Sequence, residues 1–338
     1  MMTVDSLVSF RRWARFGALL AAIVVIVGAW VRLTNAGLGC PDWPGCYGHV
    51  HPAQVVAQVD VAKAPYAARP FDYQKALHEM VHRYIATTLG LVVLGLAVYA
   101  WRYRRNPRQP TAIPWLLPWV IGAQGALGAY TVTLLLTPLV VTAHLLGGLT
   151  TLSLLWWLSL TPESRSPTAA ERSIRPLALL AFAALLAQLF LGGWTSTNYA
   201  AVACPDFPTC QGSYHPATDF TEAFRFSHEA GKDYEGGVLS LAARTAIHYT
   251  HRIGAVMVGL LLLLTGLLTI IRARSSKVRA AGMALIGTVT LQWVIGMNLI
   301  WQGFPLWLGT SLNAGAVLLL CATLLVLRRL WPARDGVA

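Results

Sequence analysis

Eight apolar runs, each of about the length that crosses a bilayer, constrain this 338-residue chain more than any other feature. A transmembrane helix needs roughly 20 predominantly apolar residues. Charged residues make up 12% of the chain, whereas a soluble domain is about one quarter charged. The runs cover about 16–31, 83–101, 113–134, 138–160, 174–194, 248–271, 280–300 and 306–327. The sequence therefore predicts an all-α integral membrane protein with eight transmembrane helices.

Clusters of basic residues between the runs predict how the chain is oriented. One cluster precedes the first run, and others follow the second, fourth, sixth and eighth runs; they include Arg11, Arg12, Arg102, Arg105, Arg165, Arg172, Arg272, Arg274, Arg328 and Arg329. By the positive-inside rule these clusters and both termini are cytoplasmic, which predicts a multi-pass protein of the inner (plasma) membrane. The net charge of +12 is explained by this placement and argues against nucleic acid as a partner.

The two long loops, 34–80 and 195–247, face the outside in this topology and carry the same motif. The first contains Cys40-Pro-Asp-Trp-Pro-Gly-Cys46 and the second contains Cys204-Pro-Asp-Phe-Pro-Thr-Cys210. Both cysteines shift by the same distance (204 − 40 = 164 and 210 − 46 = 164). The repeat predicts two tandem, pseudo-symmetric four-helix bundles, an N-terminal half (1–165) and a C-terminal half (166–338), related by an axis along the membrane normal.

The four loop cysteines are predicted to form the disulfides Cys40–Cys46 and Cys204–Cys210, because the outer compartment is oxidising. A zinc site is the weaker alternative, since zinc would want more ligands at closer spacing. A redox-active role for Cys40–Cys46 also stays open. A structural link that orders each long loop is the favoured interpretation.

Two histidines are predicted to lie at the same outer depth. His82 stands at the start of the second run, and His144 lies a few residues into the fourth. Ionisable side chains in a membrane helix are costly and by default mark a site. Two imidazoles on facing helices of one bundle can ligate a haem iron from both sides; the alternative is that each is a satisfied polar core residue. His251 repeats His82 in the C-terminal half (251 − 82 = 169).

The residues beside these histidines differ between the halves. Arg83 and Arg252 each follow a histidine, and their guanidinium groups suit haem propionates, although snorkelling to lipid headgroups is the alternative. Glu79 precedes His82 by three residues, whereas His248 stands at that place before His251. A carboxylate therefore accompanies the histidine in the N-terminal half alone. His78 and His248 lie about one turn before a predicted ligand and are predicted to face the haem edge.

These residues carry a resemblance to the heme A synthase family, membrane enzymes that oxidise a methyl group of haem O to the formyl group of haem A. The resemblance covers nearly the whole chain and rests on the run 34–44, Glu79-x-x-His82-Arg83, Thr142-Ala143-His144 and His251-Arg252. It implies that His82 and His144 hold the substrate haem O and that Glu79 is essential for its oxidation. It also implies a haem B cofactor in the C-terminal half, between His251 and a histidine of the last span.

That last histidine is missing from this sequence. Alignment of the two halves places Leu312 at the position of His144, and no histidine follows His251. Leucine cannot bind iron, and the neighbouring Asn313 is a poor haem ligand. The second haem site would then be five-coordinate through His251, reorganised around another ligand, or empty.

Two other function classes compete with the synthase at this stage. One is a non-catalytic haem protein, either a bis-histidine membrane cytochrome or a haem carrier in oxidase assembly. The other is a thiol–disulfide exchanger built on the two cysteine loops. The resemblance implies haem O, membrane lipid, haem O synthase and terminal oxidase assembly factors as partners, and a homo-oligomer is a further expectation.

Overall fold

The computed structural model describes residues 4–58, 71–161, 165–227, 229 and 231–331, and regular structure within these ranges is helical. Eight helical segments there are long and apolar enough to cross a membrane, which confirms the predicted number of spans. The helices are α1 (Val4–Leu33), α2 (Pro52–Gln58), α3 (Tyr73–Arg102), α4 (Ala112–Thr133), α5 (Pro138–Ser159), α6 (Ala169–Arg172), α7 (Arg175–Thr197), α8 (Phe220–Ala223), α9 (Leu241–Arg272), α10 (Ser276–Trp301) and α11 (Leu306–Leu330). Helices α2 and α8 are short helices of the two long loops, and α6 continues into the span formed by α7.

Three helices begin well before the predicted starts of their spans, and one of them is α1, which begins at Val4 instead of 16. Helix α3 begins at Tyr73 instead of 83, and α9 begins at Leu241 instead of 248. The Asp72 side chain accepts hydrogen bonds from the first turn of α3, and Ser240 does the same for α9, which satisfies N–H groups that a helix start leaves free. The predicted starts were wrong, and His82 and His251 lie more than two turns inside their helices.

The long helices form two groups of four. In the N-terminal half α1 packs on α3 and α5, and α4 also packs on α3 and α5. In the C-terminal half α9 packs on α7 and α10, and α11 packs on α10 and α7. The groups meet where α5 contacts α7 and α1 contacts α11, and one apolar core runs through both. The symmetry relation between the two groups stays a prediction.

Both predicted disulfides, Cys40–Cys46 and Cys204–Cys210, are formed. At the turn of each loop, a residue with positive φ is followed by a glycine that also has positive φ. The aspartate of the motif accepts hydrogen bonds from the backbone N–H groups of both residues. Asp206 accepts from Gln211 N at 2.6 Å and from Gly212 N at 3.0 Å. Hydrogen bonds from Thr209 and from these backbone groups hold the pKa of Asp206 below its ordinary value. The aspartate of the motif is therefore a turn residue.

Helices α9 and α10 approach closely at a pair of glycines, which predicts a strong effect of substitution. A Cβ atom added at Gly282 would lie 2.8 Å from the Gly266 carbonyl oxygen. We expect Gly282→Ala to destabilise the protein by about 1–3 kcal/mol, because the backbones must separate. The measurement is the thermal unfolding midpoint of the purified protein in detergent.

Gly287, on the same helix, provides the matched control. A Cβ atom there would meet no atom within 4 Å in the described part of the chain. Alanine has a higher helix propensity than glycine, so Gly287→Ala should leave the midpoint unchanged or raise it. Equal midpoints for the two variants would contradict the proposed close packing.

Candidate functional site

The structure brings the two predicted ligands of the N-terminal half together. His82 lies on α3 and His144 on α5, and both helices pack against α1 and α4. The two imidazoles are near enough to interact electrostatically. Both rings are only half-buried although they lie within the helix bundle. The site is therefore enclosed by four helices and not sealed by side-chain packing.

Each of these imidazoles lies against a glycine of the neighbouring helix. A Cβ atom at Gly28 on α1 would lie 3.0 Å from His82 Nε2, and one at Gly128 on α4 would lie 3.3 Å from His144 Cε1. Glycine permits this close approach because it has no side chain. The buried Nδ1 of His144 has no hydrogen-bond partner among the described residues. Two imidazoles with such surroundings fit a haem held between α3 and α5.

Glu79 is a buried residue of α3 that connects this helix to the first disulfide loop. Its Oε2 accepts a hydrogen bond from Cys40 N at 2.9 Å, and its Oε1 lies 2.5 Å from Arg83 Nη2. The other terminal nitrogen of Arg83 donates to the carbonyl oxygens of Asp42 at 2.9 Å and Gly45 at 2.5 Å. The carboxylate is thus held in one position, one turn of helix from His82.

The C-terminal half builds the corresponding contact with an imidazole in place of the carboxylate. Arg252 donates to the carbonyl oxygens of Cys204 at 2.7 Å, Asp206 at 2.7 Å and Thr209 at 2.9 Å. Its Nε lies 3.2 Å from His248 Nε2. Arg252 and Arg83 each bind carbonyl oxygens of their disulfide loop and a side chain of their own helix. The pairing of these arginines with haem propionates stays a prediction.

His251 lies on α9 in surroundings similar to those of His82. A Cβ atom at Gly192 on α7 would lie 3.3 Å from His251 Cε1. The Gln188 side-chain nitrogen lies 2.9 Å from His251 Nδ1 and donates to the His251 carbonyl oxygen, also at 2.9 Å. The sequence analysis missed Gln188. The signal was present, because Gln188-x3-Gly192 has the spacing of Gln124-x3-Gly128.

The structure places Leu312 where the alignment of the halves predicts it. A Cβ atom at Gly296 on α10 would lie 3.8 Å from Leu312 Cδ1. The amide nitrogen of Gln292 donates to the Leu312 carbonyl oxygen at 3.0 Å, and that of Asn313 donates to Gly309 at 3.0 Å. The C-terminal half therefore offers one imidazole from His251, and it does not fit a haem held by two histidines.

His78 and His248 each lie near an aromatic ring. The His78 ring is 6.2 Å from Trp30 on α1, and the His248 ring is 6.5 Å from Phe304, centroid to centroid. Nδ1 of each histidine is buried without a hydrogen-bond partner in the part of the chain that the structure describes. Their predicted position at the edge of a haem stays a prediction.

The fold and the site together define a multi-pass helical membrane protein with imidazoles grouped between its helices and a disulfide bond in each of its two long loops. The chain belongs to the COX15-CtaA family of cytochrome oxidase assembly proteins, which matches residues 11–324. It is 38% identical to the heme A synthase of Shewanella oneidensis over 94% of this chain and 95% of that protein. It is 27% identical to the heme A synthase of Novosphingobium aromaticivorans over 93% of each chain.

Proposed function

We propose that this protein is a heme A synthase, an oxidoreductase that converts the methyl group of haem O to the formyl group of haem A. The observation that carries the proposal is the buried Glu79, which lies on α3 one helical turn from His82, in the helix group that also contains His144. Full-length similarity to relatives of that name supports it. The same fold without the acid would serve a plain electron-carrying cytochrome equally well.

His82 and His144 are proposed to hold the iron of haem O from opposite sides. The glycines behind them, Gly28 and Gly128, leave no side chain between the imidazoles and the neighbouring helices. The redox chemistry of the iron belongs to the haem itself, whereas the protein orients the haem and places charges near it.

The oxidation is proposed to hydroxylate the methyl carbon twice, each time as a two-electron oxidation whose electrons pass to an external oxidant (dioxygen, or an electron acceptor with water as the oxygen source). The resulting gem-diol then loses water and leaves the formyl group. Removing hydrogen from the methyl carbon releases protons, so a base held near the methyl group speeds the oxidation by accepting them. Glu79 can accept a proton on a carboxylate oxygen, or its charge can stabilise a cation-like carbon centre if electrons leave first. Cys40 N–H and Arg83 hold the carboxylate in place for either role.

Haem B was predicted as a cofactor of the C-terminal half, with His251 as one ligand. The proposed mechanism uses no group from that half, because the second histidine is replaced by Leu312. Arg252 and His248 hold the second disulfide loop against α9. Their proposed contribution to the reaction is structural.

The protein is proposed to lie in the plasma membrane with both termini in the cytoplasm. The basic clusters support this orientation, because the last turns of α3, α9 and α11 carry Arg102, Arg272, Arg328 and Arg329. Basic residues at the ends of membrane helices favour the cytoplasmic side. The proposed partners are haem O synthase, which supplies the substrate, and the terminal oxidase, which consumes haem A. Both follow from the chemistry of the proposed reaction.

Extraction and chromatography of the haems bound to the purified protein test the proposal. Cells are compared with and without co-expressed haem O synthase. We expect haem A in the extract when haem O is supplied, and its absence otherwise. A haem carrier would retain haem O without forming haem A, and haem B alone under both conditions would favour the cytochrome.

A further inference from the structure

Two arginines from opposite halves of the protein meet at the membrane end where α1 begins and α11 ends. Arg11 lies on α1 in the N-terminal half, and Arg328 lies in the last turn of α11 in the C-terminal half. The two helices pack against each other, and the two guanidinium groups are close enough to repel. Both side chains are half-buried, so solvent ions screen this repulsion only in part. Like charges therefore face each other where the halves join.

The described part of the chain supplies no carboxylate that neutralises this pair. At this end of the helices it describes the carboxylate of Glu171, and Arg165 already binds both oxygens of that group, at 2.9 and 2.5 Å. The ion pairs of the described residues include neither Arg11 nor Arg328. Nε of Arg328 is buried and makes no hydrogen bond there. The protein thus leaves the positive charge of both arginines uncompensated.

Trp157 on α5 holds the Arg328 charge at the junction of three helices. The guanidinium carbon lies 4.9 Å from the centroid of the Trp157 ring, which is a cation–π contact. The preceding Trp156 donates its ring N–H to the carbonyl oxygen of Cys321 on α11 at 3.0 Å, and α5 also packs on α1. The Arg328 charge is therefore kept beside α1 and α5.

The surface of α1 next to Arg11 is suited to contact with lipid. Trp13 and Phe16 are exposed, and their rings meet edge to face with centroids 5.8 Å apart. Leu19, further into the span, is 61% exposed. Exposed aromatic rings near the end of a span are typical of the headgroup level of a membrane. Arg11 therefore lies at headgroup depth, and acyl chains cover the apolar residues deeper on α1.

We propose that Arg11 and Arg328 together bind the phosphate of one anionic phospholipid and that this lipid links the two halves. Guanidinium groups match phosphate oxygens in charge and in hydrogen-bond geometry, and basic pockets between membrane helices bind anionic headgroups. A shared phosphate replaces repulsion between α1 and α11 by attraction of both helices to one anion. A zwitterionic headgroup fits less well, because its ammonium group is repelled by the arginines. The proposal depends neither on haem nor on the proposed reaction.

Native mass spectrometry of the full-length protein in a neutral detergent tests the proposal. The protein is titrated in parallel with phosphatidylglycerol, phosphatidylcholine and inorganic phosphate. We expect one molecule of phosphatidylglycerol to bind more tightly than any further lipid, and neither of the other two probes to match it. Arg11→Gln and Arg328→Gln should each weaken this binding about fivefold, the contribution of one basic residue close to an anionic membrane surface.

Arg12→Gln is the matched control, because it removes the same charge from the next residue of α1. Arg12 is exposed, and its variant should bind phosphatidylglycerol as the unchanged protein does. Thermal unfolding gives a second readout. Without anionic lipid, Arg11→Gln should raise the unfolding midpoint, because it removes the repulsion with Arg328 and breaks no described contact. Added phosphatidylglycerol should then stabilise this variant less than it stabilises the unchanged protein.

Two results would overturn the proposal. Equal phosphatidylglycerol binding by Arg12→Gln and by the double variant Arg11→Gln/Arg328→Gln would show only a general attraction to the basic end of the protein. Inorganic phosphate that binds as tightly as the lipid would show that the anion does not come from the membrane. Failure of the proposed synthase function is distinguishable from both, because neither readout involves haem.

Discussion

Replacing Glu79 by glutamine is expected to reduce haem A formation by about 10²–10⁴-fold, the range for loss of a general acid–base group. The variant keeps the size of the side chain, and its amide oxygen can still accept the hydrogen bond from Cys40 N. It loses the negative charge and the ability to take up a proton. Bound haem O should remain, because the imidazoles are unchanged. The measurement is the ratio of haem A to haem O in extracts of the purified protein.

Arg83→Gln is the control that separates chemistry from structure. It breaks the same ion pair and removes the contacts with Asp42 and Gly45, yet it leaves the carboxylate in place. If Glu79 acted only by fixing the disulfide loop, both variants would lose haem A to the same extent. If the carboxylate takes part in the oxidation, Glu79→Gln should be far more damaging. Undiminished haem A production by Glu79→Gln would refute its proposed role.

Alanine at His82 or at His144 is expected to remove the substrate haem from the purified protein. Each substitution deletes one of the two proposed iron ligands and leaves the other imidazole without its partner. Haem O and haem A should both disappear from extracts of cells that supply haem O. Because turnover requires bound substrate, this loss should be as large as that caused by changing the acid.

His251→Ala serves as the comparison on the other side of the molecule. It removes the corresponding imidazole of the C-terminal half and should leave haem O bound in the N-terminal half. His144→Gln guards against a simple folding defect, since it replaces the ring by another polar side chain and should also lose the haem. Retention of haem O by both His82→Ala and His144→Ala would show that the substrate binds elsewhere.

Several features of the site were open to sequence analysis because they depend on local pattern or on the repeat. Spacing and compartment predicted the disulfide Cys40–Cys46, and the structure contains it. The opposite direction of two spans predicted that His82 and His144 lie at one depth, and the structure places them on α3 and α5, which both pack against α1 and α4. Gln188 was missed although its Gln-x3-Gly spacing was visible.

The start of α3 shows where sequence patterns mislead. His78, Glu79, His82 and Arg83 made the segment before residue 83 look too polar for a membrane helix. In the structure the helix begins at Tyr73, since Glu79 and Arg83 find partners in the disulfide loop. Polar groups can enter a buried helix when their hydrogen bonds are satisfied. A hydropathy profile takes no account of hydrogen-bond partners that lie some 40 residues away in the chain.

The sequence by itself determined the eight spans, the two disulfides and the missing ligand at Leu312. Few backbone conformations satisfy their own hydrogen bonds inside a bilayer, so the length and polarity of a segment are enough to predict a membrane helix. The tertiary structure alone decided that Arg83 and Arg252 bind loop carbonyl oxygens and that glycines lie behind His82 and His144. Such contacts join distant parts of the chain, and they depend on how closely helices and loops approach.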